Sequence, residues 1–327
     1  MGILLFSPDN SPQKDRKTPP TPGVHRRTVL GVAVTLAPVA LTAGPTSGAA
    51  PVLDPHAVAL YEAAKVLYGR YTAATNQQAQ GCLAQALALE PTFARAWALS
   101  AATERQAAIS TWTDDWAGSM RQADTAALKA VTLARAEPGQ PALPATLEQL
   151  GFVRIYQGRH EEAIEAAQEA MQHAPGYANA YGVWALALSY LGQPLDALTQ
   201  IARHEALHPH PVFMHAYHRG HACVSLALSG ADHAWDRAVK YLQWALRERP
   251  DYRPARSYLA ATLMALGDGP GAGAHTTTLA QMGRPSPFDP RYALWFRRAN
   301  PFQHVAVRER LITLWQEAEQ QRPGGAV

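Results

Sequence analysis

One self-similarity governs what this chain can fold into. In Leu147-x2-Leu150-Gly151-x2-Arg154, followed by Ala163-x3-Ala167-x2-Ala170-x4-Pro175, apolar residues fall at helical spacing in two runs, and the second run ends on a proline. Thirty-four residues later Tyr181, Trp184, Ala185, Leu188, Ala197, Ile201, His204 and Pro209 occupy the same template. A unit this short cannot bury its own apolar face, so a fixed period of this length predicts stacked units that hide each other's faces. Upstream, Ala79-x3-Leu83-x2-Ala86-x4-Pro91 matches the second run, and Ala94-Arg95-Ala96-Trp97 opens another first run. Downstream, Ala238-x3-Leu242-x2-Ala245-x4-Pro250 and the stretch Ala255 to Leu266 continue the series. The small residues let two helices approach closely, the large ones fill the groove to the next pair, and the proline ends the second helix because it has no N–H for the ladder.

This spacing resembles the tetratricopeptide repeat, with Arg154 where that family usually has Tyr. The resemblance implies an all-α solenoid of about six helix-turn-helix units over residues 51–283. Insertions around Thr111–Ala117 and Gly230–Ala234 should lengthen helices or loops in units two and five. No alternating run bounded by hairpin-turn residues occurs, so strand content should be close to zero. Pro285-Ser-Pro287-Phe-Asp-Pro290 breaks the pattern, and the amphipathic stretches Tyr292–Arg298 and Val305–Gln320 should supply a C-terminal cap and tail over residues 284–327. Over roughly residues 57–316 the chain also resembles the repeat arm found C-terminal to class III adenylate cyclases and winged-helix regulators. That likeness rests on Ala84-Gln-Ala-Leu-Ala-Leu-Glu-Pro-Thr-Phe-Ala-Arg-Ala-Trp97, Tyr241-Leu-Gln-Trp-Ala-Leu-Arg-Glu-Arg-Pro-Asp-Tyr252 and Asn300-Pro301-Phe302. It implies a binding arm without the cyclase or DNA-binding head.

The N-terminal segment reads as an address. Residues 1–24 form a basic, proline-rich leader, with five prolines between positions 7 and 23, too polar to offset the entropy of ordering. Residues 25–50 run His25-Arg26-Arg27-Thr28-Val29-Leu30-Gly31, an uncharged apolar stretch from Val29 to Ala43, then Thr46-Ser47-Gly48-Ala49-Ala50. That order resembles a bacterial twin-arginine export signal, with His25 and Gly31 departing from its usual residues. The apolar stretch contains Pro38 and is shorter than the roughly 17–25 residues a membrane-spanning helix needs, so cleavage near Ala49 is expected rather than anchoring. The expected location is the periplasm or the exterior. The formal charge of +3 comes from residues 1–49, where Lys14, Arg16, Lys17, Arg26 and Arg27 face only Asp9 and Asp15. The remainder is neutral, which gives no electrostatic argument for nucleic-acid binding. Cys82 and Cys223 are too few for a disulfide framework or a cysteine-based zinc site.

Two motifs carry possible chemistry. His204-Glu205-Ala206-Leu207-His208 matches H-E-x-x-H, which on a helix puts two imidazoles one turn apart for zinc with the carboxylate as general base. His204 nevertheless takes a B-helix position normally given to Ala, and His208 directly precedes Pro209. A third ligand would have to come from His210, His215, His218 or His221, and ordinary packed or surface histidines are the expected reading, with zinc binding or zinc-dependent hydrolysis as the alternative. Gly267-Asp-Gly269-Pro-Gly271-Ala272 formally matches a dinucleotide fingerprint but follows a helix, so it reads as an interhelix turn. No Walker motif and no G-x-S-x-G elbow occurs.

In a stack of this kind the first helix of each unit lines the concave side, where a peptide or partner helix usually lies. The register places Arg95, Arg105, Glu148, Phe152, Tyr156, Asn179 and Tyr190 there. The sequence thus points to an exported, non-enzymatic scaffold that takes a protein or peptide partner in this groove, without a cofactor. A sensory arm working with a separately encoded signalling protein is a further reading.

Overall fold

The computed structural model describes residues 53–208 and 213–323. Residues 1–52, which hold the leader at 1–24 and the whole signal-like segment at 25–50, residues 209–212 with His210, and the last four residues lie outside them. Six antiparallel helix hairpins follow one another. They are α1 (Pro55–Gly69) with α2 (Ala73–Leu89), α3 (Ala94–Ile109) with α4 (Trp116–Ala136), and α5 (Leu143–Tyr156) with α6 (His160–His173). The series continues with α7 (Ala178–Tyr190) and α8 (Pro194–Leu207), α9 (Phe213–Leu228) and α10 (Ala234–Glu248), and α11 (Arg253–Ala265) and α12 (Gly269–Gln281). A 3-10 turn at Pro290–Tyr292, α13 (Ala293–Ala299) and α14 (Val305–Gln320) complete the order, and no strand occurs among the described residues. This is a tetratricopeptide solenoid.

The repeat residues do what their spacing implies. Ala163, Ala167 and Ala170 of α6 and Ala180 and Ala187 of α7 are completely buried, so backbones meet where methyl groups replace larger side chains. Helices α2, α6 and α10 end two residues before Pro91, Pro175 and Pro250. Inside the hairpins Gly158, Gly192, Gly230 and Gly267 turn the chain with positive φ. The first two hairpins make the equivalent turn with Tyr71 (φ 54°) and Thr111 (φ 57°), conformations that a bulky residue adopts only when its surroundings hold it. The sequence Gly267–Ala272 forms the turn into α12, where the Asp268 carboxylate caps the helix by accepting from the Gly271 N–H at 2.9 Å. The insertion in unit two produces both a longer loop at 110–115 and the 21-residue α4.

Consecutive first helices touch one another along α1, α3, α5, α7, α9 and α11, which makes them the inner, tighter side of the superhelix. The curl brings its ends together. Arg249 Nη2 donates to the Gly69 carbonyl at 3.2 Å, Arg253 Nη1 to the Ser110 carbonyl at 3.4 Å, and the Tyr71 and Tyr252 rings sit 5.4 Å apart. Helix α14 covers α11 and α12 as a cap, with Trp315 Nε1 donating to the Ser257 carbonyl at 2.7 Å. The segment before it does something else. From α13 onward it runs back along the inner side, where Trp295 Nε1 donates to the Ala108 carbonyl at 3.0 Å, the Gln303 N–H donates to the Tyr190 carbonyl at 2.8 Å, and Phe302 is buried against Tyr190.

Candidate functional site

Between the inner helices and the closed ends lies a recess of about 360 Å³. Of the seven groove residues expected from the register, Arg105, Glu148, Phe152, Tyr156 and Asn179 line it. Arg95 is exposed in the first turn of α3 and is not among the lining residues. Tyr190 is fully buried; it contributes to a smaller neighbouring cavity of about 70 Å³ and packs between His221 (4.8 Å between ring centres) and Phe302 (4.9 Å). It is a packing residue of the inner wall.

The polar groups of the recess are held by the hairpin geometry. Arg105, near the end of α3, is only 7% exposed; Nη2 donates to the Tyr68 hydroxyl at 3.3 Å, and its guanidinium lies 5.0 Å from the centre of the Phe152 ring and 5.9 Å from that of Tyr156. Its Nε has no hydrogen-bond partner among the described residues. Glu148 of α5 accepts from the Tyr177 hydroxyl, from Asn179 Nδ2 at 3.2 Å and from Gln149 Nε2 at 3.1 Å. Burial raises its carboxyl above the ordinary range, while those donors and the nearby Arg105 charge pull it back. Apolar surface comes from Leu186, Met214, Tyr217 and Tyr252.

The histidines form one wall. His204 Nε2 and His215 Nε2 are 3.1 Å apart, so one neutral imidazole donates to the other. Burial, then the neighbouring His215, His218 and His208, holds His204 down at about 3. His218, in the next turn of α9, is pushed to about 3 by burial and has no partner on either ring nitrogen among the described residues. His208 is exposed, with its ring centre 5.9 Å from that of His204, and Glu205 is turned into a two-pronged ion pair with Arg219 at 2.5 and 3.0 Å. The carboxylate of the H-E-x-x-H match is thus committed to a guanidinium. Among the described residues no group of three His, Cys, Asp or Glu side chains is placed to hold a metal ion.

Sequence reasoning missed Tyr68, Met214, Tyr217, His218 and Tyr252 as lining residues. For α9 the signal was present: Glu148, Gly182 and Tyr217 recur at the repeat interval with one inserted residue, as do Asn179 and Met214. Tyr68 and Tyr252 join only because the superhelix closes, which no local pattern encodes.

No family model matches the chain, and no curated protein matches it. Among solved structures, a monomeric mutant of IFIT1 with Gppp-AAAA superposes with a TM-score of 0.54 at 14% identity, over 78% of this chain and 61% of that one. A tetratricopeptide repeat protein from Parabacteroides merdae aligns with a TM-score of 0.41 at 14% identity, covering 80% of this chain and 99% of its own. TTC0263, a thermophilic protein of the same repeat class from Thermus thermophilus, gives 0.43 at 22% identity over 60% and 98%. At these identities the likeness is one of fold, and the fold is the tetratricopeptide solenoid that the 34-residue period spells out.

Proposed function

We propose that the chain is a non-catalytic scaffold of the bacterial cell envelope, exported by its N-terminal signal, that engages a protein or peptide partner through the inner face of the solenoid. One observation carries this reading: five residues singled out by the repeat register converge on a single recess, where aromatic rings and a buried arginine surround open space. Aromatic and Arg side chains in a desolvated pocket are the usual anchors of recognition. The volume suits an inserted side chain or chain end rather than an extended strand along the whole groove. Residues 295–304 already cover the adjacent part of that face.

The chemistry of the site favours binding over catalysis. Among the described lining residues the one acidic group, Glu148, has its oxygens occupied by three donors, the wall histidines are neutral and buried, and no Ser, Thr or Cys is present. Selection of a displayed peptide library on the full chain tests the reading. Recovered binders should lose affinity about tenfold or more against Phe152→Ala and Asn179→Ala while binding Leu195→Ala normally, since Leu195 is exposed at the start of α8. Binders indifferent to Phe152 and Asn179 would contradict it.

A further inference from the structure

We infer that the recess is also a site for a free, small organic monocarboxylate with an apolar body. The inference rests on the recess being the binding site and goes beyond the proposed partner contact by naming a low-molecular-mass ligand. Arg105 is the reason. Its guanidinium is almost fully buried, yet among the described residues no carboxylate stands within ion-pair distance of it, and Nε is left without an acceptor. Buried charges in proteins are ordinarily paired, because desolvating an ion without a partner is costly. The Phe152 and Tyr156 rings cradle the cation without neutralising it. A planar donor fork held in place by two rings suits a carboxylate, which can take two of its N–H groups at once.

The surroundings narrow the class. Glu148 lies close enough to feel the Arg105 charge, and its oxygens are already engaged, so each negative charge brought in meets repulsion from it and a dianion meets about twice as much as a monoanion. This disfavours a phosphate. Leu186, Met214, Tyr217 and Tyr252 offer an apolar lining for the rest of the molecule. Gln149 and His218 also line the recess, and Gln149 Oε1 and both His218 ring nitrogens are buried without partners among the described residues. At about 360 Å³ the space lies at the lower end of the roughly 300–1,000 Å³ typical of small-molecule sites.

Isothermal titration of the full chain with acetate, butyrate, 3-phenylpropionate and indole-3-acetate, with the primary amide of each and with inorganic phosphate, tests this. One acid should bind per chain, with the larger bodies tighter, and each bound acid should exceed its amide and phosphate by about tenfold or more, a difference of about 1.4 kcal/mol. Arg105→Gln should remove that preference. The acid-to-amide comparison needs no variant, so it stands even if Arg105→Gln misfolds. Equal binding of acid and amide, preference for phosphate, or no binding by any of the acids overturns the inference. A chain that selects peptides through Phe152 but shows no acid preference keeps the proposed function and loses this inference; acid binding without peptide selection does the reverse.

Discussion

His160 Nε2 donates to the carbonyl oxygen of Pro301 at 2.8 Å, tying the third hairpin to a segment 141 residues further along the chain. In a simple solenoid each repeat meets its neighbours only, so stability is close to a sum of nearest-neighbour terms. Here the C-terminal segment adds a long-range brace. Tyr258 donates to Asn300 Oδ1 at 2.8 Å, Asn300 Nδ2 donates to the Phe296 carbonyl at 3.0 Å, and Phe302 closes over Tyr190.

The brace makes Phe302 a core residue of the whole solenoid. It is 2% exposed and stacks 5.7 Å from His221 as well as meeting Tyr190. Phe302→Ala should cost about 3–5 kcal/mol, the usual range for removing a buried phenyl ring. Urea unfolding checks this, and a loss below about 1 kcal/mol would show that the segment is only loosely laid on the inner face.

Acid should weaken the fold well before its carboxylates protonate. His204, His218 and His221 are each held near 3 from an ordinary value of 6.5, with burial the leading cause in all three. Above pH 6.5 they are neutral whether the chain is folded or not. Between there and about 3 the unfolded chain takes up protons that the folded chain excludes, so stability falls as pH falls. Each histidine contributes a slope of at most about 1.4 kcal/mol per pH unit. Chemical denaturation from pH 7.5 to 4.5 should show the decline, and His218→Gln should flatten it; a stability independent of pH across that range would contradict the buried neutral state.

Gly151 marks how tightly the hairpins approach. A Cβ placed there would lie 2.6 Å from Val183 Cγ1, whose own side chain is completely buried and has nowhere to retreat. Helix propensity favours alanine by about 1 kcal/mol, whereas overpacking costs about 1–3 kcal/mol, so Gly151→Ala should be destabilising or at best neutral. Pairing it with Val183→Ala should recover part of the loss. A clear gain in the single variant would mean that α5 and α7 sit further apart than described.

Most of the fold was legible because its units repeat. The alanines at 163, 167 and 170 and the prolines at 91, 175 and 250 say where helices touch and stop, and six hairpins follow from counting them. Arg105, Glu148, Phe152, Tyr156 and Asn179 were legible as inward residues for the same reason. What the pattern could not carry was curvature. The contact of Tyr71 with Tyr252, and with it the enclosure of the recess, depends on the small rotation accumulated over every hairpin. Tyr190 illustrates the other gap: an inward register position looks the same whether a ligand or the chain's own Phe302 covers it.

Zinc should leave the protein indifferent. Among the described residues the His204–His215 pair offers two nitrogens, His208 stands apart and exposed, and Glu205 is held by Arg219. A tetrahedral site needs four ligands, with at least three from the protein in known catalytic sites. Elemental analysis of the purified protein should find zinc well below one ion per chain, and EDTA should not lower the melting temperature. Near-stoichiometric zinc that disappears in His204→Ala would establish the metal-centre reading instead.

On the proposed function, recognition takes place at the recess between α3, α5 and α7. The most direct measurement is photo-crosslinking in intact cells, with a benzophenone amino acid placed at Phe152 or, as the outer-surface comparison, at Leu195, which is 65% exposed. A defined adduct should form in the cell-envelope fraction from position 152, be absent from position 195 and be lost when Asn179→Ala is added. Adducts from position 195 with none from position 152 would contradict it.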